Sequence, residues 1–160
     1  MSDHSVRGNR DAITVRQAVL SDLDMLATLF DAYRQFYGRA SDVGAARAFL
    51  LARFNHAEST LFIAFDGVEP VGLTQLYPSF SSISLARIFI LNDLYVAAHA
   101  RRKGVASKLM SAAVEYARCH GAARVSLSTA TSNETAQALY QSAGWKRDEQ
   151  FLVYHLNLST

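Results

Sequence analysis

The run from Arg87 to Val96 is almost continuously apolar, and it leads through Arg101-Arg102-Lys103-Gly104-Val105-Ala106 into a long segment with helical periodicity. That succession limits the chain to folds in which an inner strand, covered on both faces, hands on to an amphipathic helix through a basic loop. A helix N-terminus presents backbone N–H groups that have no partner inside the helix, and it carries positive partial charge. Three cationic side chains beside it make a receptor for a diphosphate, and Gly104 permits close approach of the backbone. The competing reading is a solvated loop with incidental charges, which the glycine at the helix start weakens.

The rest of the order follows from periodicity and punctuation. Ile13-Thr14-Val15-Arg16 alternates as a first strand. Ser21-x-x-Asp24 resembles a capping box and opens a helix through Leu23, Leu26, Ala27, Phe30 and Tyr33, which Gly38 ends. Ser41-Asp42 starts a second helix carrying Phe49, Leu50 and Phe54. Leu61 to Phe65 and Val68 to Tyr77 form a hairpin about Asp66-Gly67, and Pro78 to Ser82 reads as a polar, flexible loop. The helix from about Gly104 carries Val105, Leu109, Ala113 and Tyr116, with Gly121 as its C-cap, and Val125 to Ser128 is the next strand. Asn133 or Thr131 caps a short helix with Ala136, Leu139 and Tyr140, closed by Gly144, and Phe151 to Leu158 alternates as a final strand in a terminal hairpin. The expected fold is mixed α/β, with a mostly antiparallel central sheet and a β-α-β crossover in the back half. There is no G-x-G-x-x-G and no G-x-x-x-x-G-K-[ST], so the common nucleotide-binding loops are excluded.

Half of the 160 residues are hydrophobic, which suits one domain over residues 12–160 behind a loose polar tail, residues 1–11. The tail lacks the apolar core of a signal peptide and no later run is long enough to span a bilayer, so a cytoplasmic protein without membrane contact is expected. Sixteen Lys and Arg against fourteen Asp and Glu leave +2, too little to argue for nucleic acid. The single Cys119 cannot form an internal disulfide or a zinc site, and it is expected to be a buried helix residue. His4, His56, His99, His120 and His155 are scattered without metal-ligand spacing, so no metal is expected.

The strand, the loop Arg101-x-x-Gly104-x-Ala106 and the segment Asn133-Glu134-Thr135-Ala136-Gln137-Ala138-Leu139-Tyr140-Gln141-Ser142-Ala143-Gly144-Trp145 together resemble the GNAT superfamily of N-acetyltransferases. The loop looks like its [QR]-x-x-G-x-[GA] pyrophosphate motif, and the later segment like its N-x-x-A-x-x-L-Y-x-x-x-G-[FW] motif. The resemblance covers Ile13 to Leu158, and within the superfamily the chain looks most like the spermidine/spermine-like acetyltransferases and a related yeast subgroup.

That resemblance implies acetyl-CoA as the cosubstrate, held in an opening between the strand ending at Val96 and the strand Val125 to Ser128. Backbone groups of Leu94, Tyr95 and Val96 would pair with the pantetheine arm. N–H groups of Arg102, Lys103, Gly104, Val105, Ala106 and Ser107 would hold the pyrophosphate, with Arg101 closing the loop, and Asn133 would contact the CoA arm while capping its helix. Attack of an amine on a thioester builds an oxyanion and expels a thiolate. Tyr140 would protonate that leaving group, against the simpler role of a core tyrosine beside Leu139, and a backbone N–H near Tyr95 or Val96 would meet the oxyanion. Asp93 is a candidate base, with a structural role in the loop equally open. Asn92 stands where the spermidine/spermine-like relatives carry acid, and an amide cannot accept a proton at neutral pH. Tyr33, Phe36, Tyr37 and Phe80 are candidates to line the acceptor side, with Asp31 as an ammonium contact. The expected acceptor is a primary amine on a small molecule, polyamine or amino-acid-like, and a homodimer is implied by family analogy. Acetylation of a protein amine and a non-catalytic acyl-CoA-binding module are the alternatives, and a nucleic-acid-binding domain is disfavoured by the lack of a wider basic face.

Overall fold

A computed structural model describes residues 13–159. The expected tail, residues 1–11, and His4 lie outside the described residues. The chain divides into two compact units, one ending at Ser128 and one beginning at Thr129.

In the first unit five strands form one sheet in the order β1 (Ile13–Gln17), β2 (Thr60–Asp66), β3 (Glu69–Ser81), β4 (Ala86–Val96) and β5 (Val125–Ser126). The first three pairings are antiparallel and the last, β4 with β5, is parallel. Helices α1 (Leu23–Phe36) and α2 (Val43–His56) connect β1 to β2, and α3 (Val105–Cys119) is the crossover from β4 to β5. Alternation along β2 shows how the helices are distributed. Leu61 and Ile63 pack with Leu26, Leu50 and Leu73 under α1 and α2, whereas Phe62 and Phe89 meet the ring of Tyr116 on α3 at 5.7 Å. A strand covered on both faces has no polar side to show, which is why Leu61 to Ala64 are all buried. No helix among the described residues is long and apolar enough to cross a membrane.

Several boundaries differ from the sequence-based expectation. The capping arrangement before α1 is not Ser21 with Asp24. Asp22 instead accepts from Val19 N at 2.8 Å and from both terminal nitrogens of Arg16 at 2.7 and 2.8 Å. Those bonds, led by Arg16, hold the buried Asp22 carboxyl below its ordinary range, and Asp24 pairs with Arg47 on α2 instead. Pro78 to Ser81 is not a loop but the end of β3, paired with Phe89 to Ala86. Proline is tolerated there because β2 pairs no further along β3 than Leu76, so Pro78 faces no ladder on that side. Inner strand β4 is only partly covered, with Ile90 and Asn92 exposed. Cys119 is exposed at the end of α3 rather than buried.

The second unit contains α4 (Glu134–Ser142), capped by Asn133 Oδ1 accepting from Ala136 N at 3.1 Å. Gly144 follows with φ +88°, a left-handed conformation suited to glycine beyond a helix end. The expected strand Phe151 to Leu158 is absent: no ladder is formed there, and Phe151, Leu152, Tyr154, Leu156 and Leu158 are exposed. Alternation makes a segment able to pair, but a strand exists only where a neighbour supplies the other half of the ladder.

Candidate active site

Two features of the first unit converge on the C-terminal half of β4. The first is a β-bulge. Gln75 lies opposite Asp93 and Leu76 opposite Leu91, so Asn92 is the extra residue. Bulges re-aim side chains, and here Asp93 is buried (4% exposed) on the sheet while Asn92 is left open. The second is that β5 pairs with β4 only at Phe89 and Ile90. From Leu91 to Val96, β4 keeps its β3 partner and has no β5 partner among the described residues.

Asp93 is held by several donors. Its Oδ2 accepts from Gln75 Nε2 at 2.7 Å and its Oδ1 from Asn92 Nδ2 at 3.1 Å, and the nearby Tyr33 phenol of α1 also favours the charged carboxylate. Burial nevertheless dominates and raises the carboxyl above its ordinary range. The same burial, with the nearby Asp93 charge, pushes the Tyr33 phenol up and the Tyr77 phenol up to about 12. Thr74 Oγ1 donates to the Asp93 carbonyl at 2.8 Å, so the backbone is fixed as well as the side chain. The Tyr33 ring also meets Tyr95 edge-on at 6.3 Å and Tyr37 at 5.1 Å.

The basic loop has the conformation of an anion receptor. Arg102 and Gly104 are left-handed, at φ +65° and +77°, and Gly104 is the N-cap of α3. A Cβ added at Gly104 would meet nothing within 4 Å, so this face of the turn is open, and no acidic residue occupies the first turn of α3. Arg101 is exposed and folds back over the end of β4: Nε donates to Val96 O at 3.1 Å and the guanidinium lies 5.5 Å from the Phe36 ring. Lys103 pairs with Asp66 at 3.1 Å and His99 with Glu69 at 2.9 Å, so the turn between β2 and β3 anchors the loop twice. Among the described residues Arg102 has no ion pair and is exposed. The residues present fit a pyrophosphate: unpaired N–H groups, a cation and open space at one helix start.

Asp93, Tyr33, Tyr37, Phe36, Tyr95 and Arg101 thus form a continuous series of contacts. Phe80 lies apart, five residues further along β3 from Gln75, exposed and stacked on Arg87 at 4.8 Å. The Asp31 carboxylate is buried and accepts from Ser41 Oγ and Asp42 N at 2.7 Å and from Gln35 Nε2 at 3.0 Å. Those bonds, Ser41 first, lower its proton affinity and tie the α1–α2 connection. In the second unit, Tyr140 sits in the last turns of α4, its carbonyl accepting from Trp145 N at 3.0 Å and its ring 6.2 Å from the Trp145 ring. Among the described residues no three His, Cys, Asp or Glu are grouped as metal ligands.

Gln75, Tyr77 and Gly72 escaped the sequence reading. A polar residue inside Val71-Gly72-Leu73-Thr74-Gln75-Leu76-Tyr77 was the available signal. Gly72 permits the close packing of β3, β4 and α3. A Cβ there would stand 2.8 Å from Tyr95 O, 3.1 Å from Leu109 Cδ1 and 3.3 Å from Val105 Cγ1. Gly72→Ala is therefore expected to cost about 1–3 kcal/mol, read as a melting temperature lower by roughly 2–4 °C per kcal/mol. An unchanged melting temperature would show that β4 yields freely at Tyr95.

A five-stranded mixed sheet whose fourth strand loses its parallel neighbour beside a cationic helix start is the architecture of an acyl-CoA N-acyltransferase. The profile of the Acetyltransferase (GNAT) family matches residues 26–145, and the chain belongs to that family. It is similar to an uncharacterized N-acetyltransferase, YhfO, of Bacillus subtilis (strain 168), with 47% identity covering 91% of this chain and 98% of that protein. A probable acetyltransferase of Haemophilus influenzae is 32% identical, covering 86% of this chain and 93% of that protein. The crystal structure of a probable acetyltransferase superposes with a TM-score of 0.87 at 45% identity, covering 92% of this chain and 99% of the other. The protein is thus an acetyltransferase of the family whose members take their acetyl group from acetyl-CoA.

Proposed function

We propose that the protein transfers the acetyl group to a primary amine of a small molecule, polyamine or amino-acid-like, by direct attack. The observation that carries this reading is the buried, many-donor carboxylate of Asp93 at the bulge of β4, just before the stretch Leu94 to Val96 that lacks a β5 partner. An amine reaches an enzyme mostly as ammonium, and a carboxylate whose proton affinity is raised by burial is suited to take that proton, directly or through water. Bound acetyl-CoA supplies the activated thioester. In this reading the backbone of Leu94, Tyr95 and Val96 binds the pantetheine arm, and a backbone N–H near Tyr95 or Val96 stabilises the carbonyl oxygen as it gains charge. N–H groups of Arg102 to Ser107 and the Arg102 and Lys103 side chains hold the pyrophosphate, Asn133 contacts the CoA arm, and Tyr140 gives a proton to the departing sulfur.

Tyr33, Phe36 and Tyr37 are assigned to the acceptor side, where their rings favour an amine with an apolar body. Asn92 beside Asp93 leaves one carboxylate instead of two, which speaks for a monoamine or amino-acid-like acceptor over a long polyamine. Residues 12–160 acting as one catalytic domain, a cytoplasmic location, homodimerisation and metal-free chemistry complete the reading. These last four rest on the family resemblance and on composition.

Calorimetry with acetyl-CoA and a thiol-release assay over an amine panel test it. Changing Arg101, Arg102 and Gly104 together to Ala, Ala and Val is expected to weaken acetyl-CoA by about 10–100-fold, the value of one lost charge-assisted hydrogen bond or more. Undiminished binding by that variant would remove the loop from the cofactor site, and turnover on protein amines alone would replace the small-molecule acceptor.

A further inference from the structure

Gln75 is a full amide with no exposed surface, on a stretch of β3 in which Val71, Leu73, Thr74 and Leu76 are fully buried as well. Its orientation is dictated by its neighbours. A carboxylate can only accept, so the side chain must turn Nε2 toward Asp93 Oδ2, at 2.7 Å, and the second N–H goes to Tyr77 Oη at 3.1 Å. That leaves Gln75 Oε1 buried without a partner among the described residues. A fold that needed only to fill this position would place another leucine there, because an unmet buried acceptor is costly. The amide is tolerated for what its N–H groups do, and both lead to Asp93 or to the phenol next to it.

We propose that Gln75 is a positioning residue for the acetyl transfer: it fixes the rotamer of Asp93 and favours its ionised form, so that the carboxylate is ready for the proton of the incoming amine. The proposal rests on the reading of Asp93 as base. It balances simply: one proton passes from the ammonium to an Asp93 oxygen, the nitrogen lone pair is freed for attack, and Gln75 changes neither charge nor bonding. The ladder explains the precision. Gln75 and Asp93 are direct register partners beside the bulge at Asn92, so the two side chains emerge together from a doubly fixed backbone. The other titratable or charged groups facing this carboxylate are Tyr33 from α1 and Tyr77 from β3, with Tyr37, just past the end of α1, reaching it through Tyr33, and Arg53 of α2 and Glu58 beyond it reaching it through Tyr77. None of them donates two hydrogen bonds into the cluster as the Gln75 amide does.

The test is the pH profile of kcat/KM for wild type, Gln75→Leu, Gln75→Glu and Asp93→Asn, on the amine with the highest turnover in the panel. Loss of a hydrogen bond to a charged group is expected to move the acid limb of Gln75→Leu up by about one to two pH units, with the rate recovering at high pH. Gln75→Glu, which places a like charge beside Asp93, is expected to move the limb upward as well. A readout that needs no variant is carbon and nitrogen NMR of the wild type, in which the Gln75 side-chain amide should titrate with the same midpoint as the Asp93 carboxyl. A folded Gln75→Leu whose acid limb stays in place, or a Gln75 amide silent through the Asp93 titration, overturns the proposal and leaves Asp93 as base if Asp93→Asn removes the limb. Retention of both rate and limb in Asp93→Asn removes the Asp93 reading itself, and the role of Gln75 with it.

Discussion

Asp93→Asn should reduce turnover by about 10²–10⁴-fold, the range for loss of a positioned general base, while the melting temperature at neutral pH holds or rises. The two halves of that expectation have one cause. Desolvation raises the Asp93 carboxyl above its ordinary range, outweighing the hydrogen bonds from Gln75 and Asn92 and the influence of the Tyr33 phenol. The folded chain therefore binds this proton more tightly than the unfolded chain does. The group favours folding at low pH, and that contribution is lost as pH rises through its raised folded value, where the buried carboxylate becomes a cost. Asparagine has a similar shape and no charge to desolvate, so it removes the cost and the base together. Scanning calorimetry at neutral pH and a steady-state assay on the same sample decide the matter. Turnover within about threefold of wild type would exclude Asp93 as the proton acceptor, far below the loss expected for a general base. A large fall in melting temperature would make its role structural.

Tyr140→Phe is expected to lower turnover by about 10²-fold with acetyl-CoA affinity nearly unchanged. Phenylalanine preserves the ring packed beside Trp145 and leaves the backbone bond from Trp145 N to Tyr140 O in place, so α4 should keep its shape. What disappears is a phenolic proton. A departing thiolate needs that proton less as the parent thiol becomes more acidic, which supplies a specific control. With an acetyl thioester of an acidic aromatic thiol as donor, the gap between wild type and Tyr140→Phe should narrow. An equal deficit on both donors would place Tyr140 in substrate binding instead of leaving-group protonation.

Punctuation made much of the fold legible. Gly67, Gly104, Gly121 and Gly144 all stand at positive φ where turns or helix ends were expected, and Asn133 caps α4 by its side chain. These signals are local, carried by residues whose conformational preferences hold wherever they occur. The errors fell where a neighbour decides. Pro78 to Ser82 read as loop, yet Pro78 to Ser81 pair along β4. Phe151 to Leu158 has the alternation of a strand and forms none. Asp93 was recognisable as a candidate from its place before Leu94, but its partner Gln75 was not. Their pairing depends on a bulge that skips Asn92, and nothing in either strand alone fixes that register. Asp31 shows the same limit from the other side. The loop ten residues on supplies Ser41 and Asp42 to its carboxylate, contacts that the spacing along α1 does not reveal.

The unequal neighbours of β4 have a mechanical consequence. Ten register pairs bind it to β3 and two bind it to β5. Loss of the two would leave the antiparallel meander and the core beneath α1 and α2 intact, since Leu26, Leu50, Ile63 and Leu73 all lie outside that contact. The sheet therefore has a seam: a line along which it can part at small free-energy cost without loosening what surrounds it. An extended molecule entering beside Leu94 to Val96 lies beyond this short parallel ladder and meets no β5 pairing there, and the rigid side of the strand, with Asp93 attached to it, stays where it is.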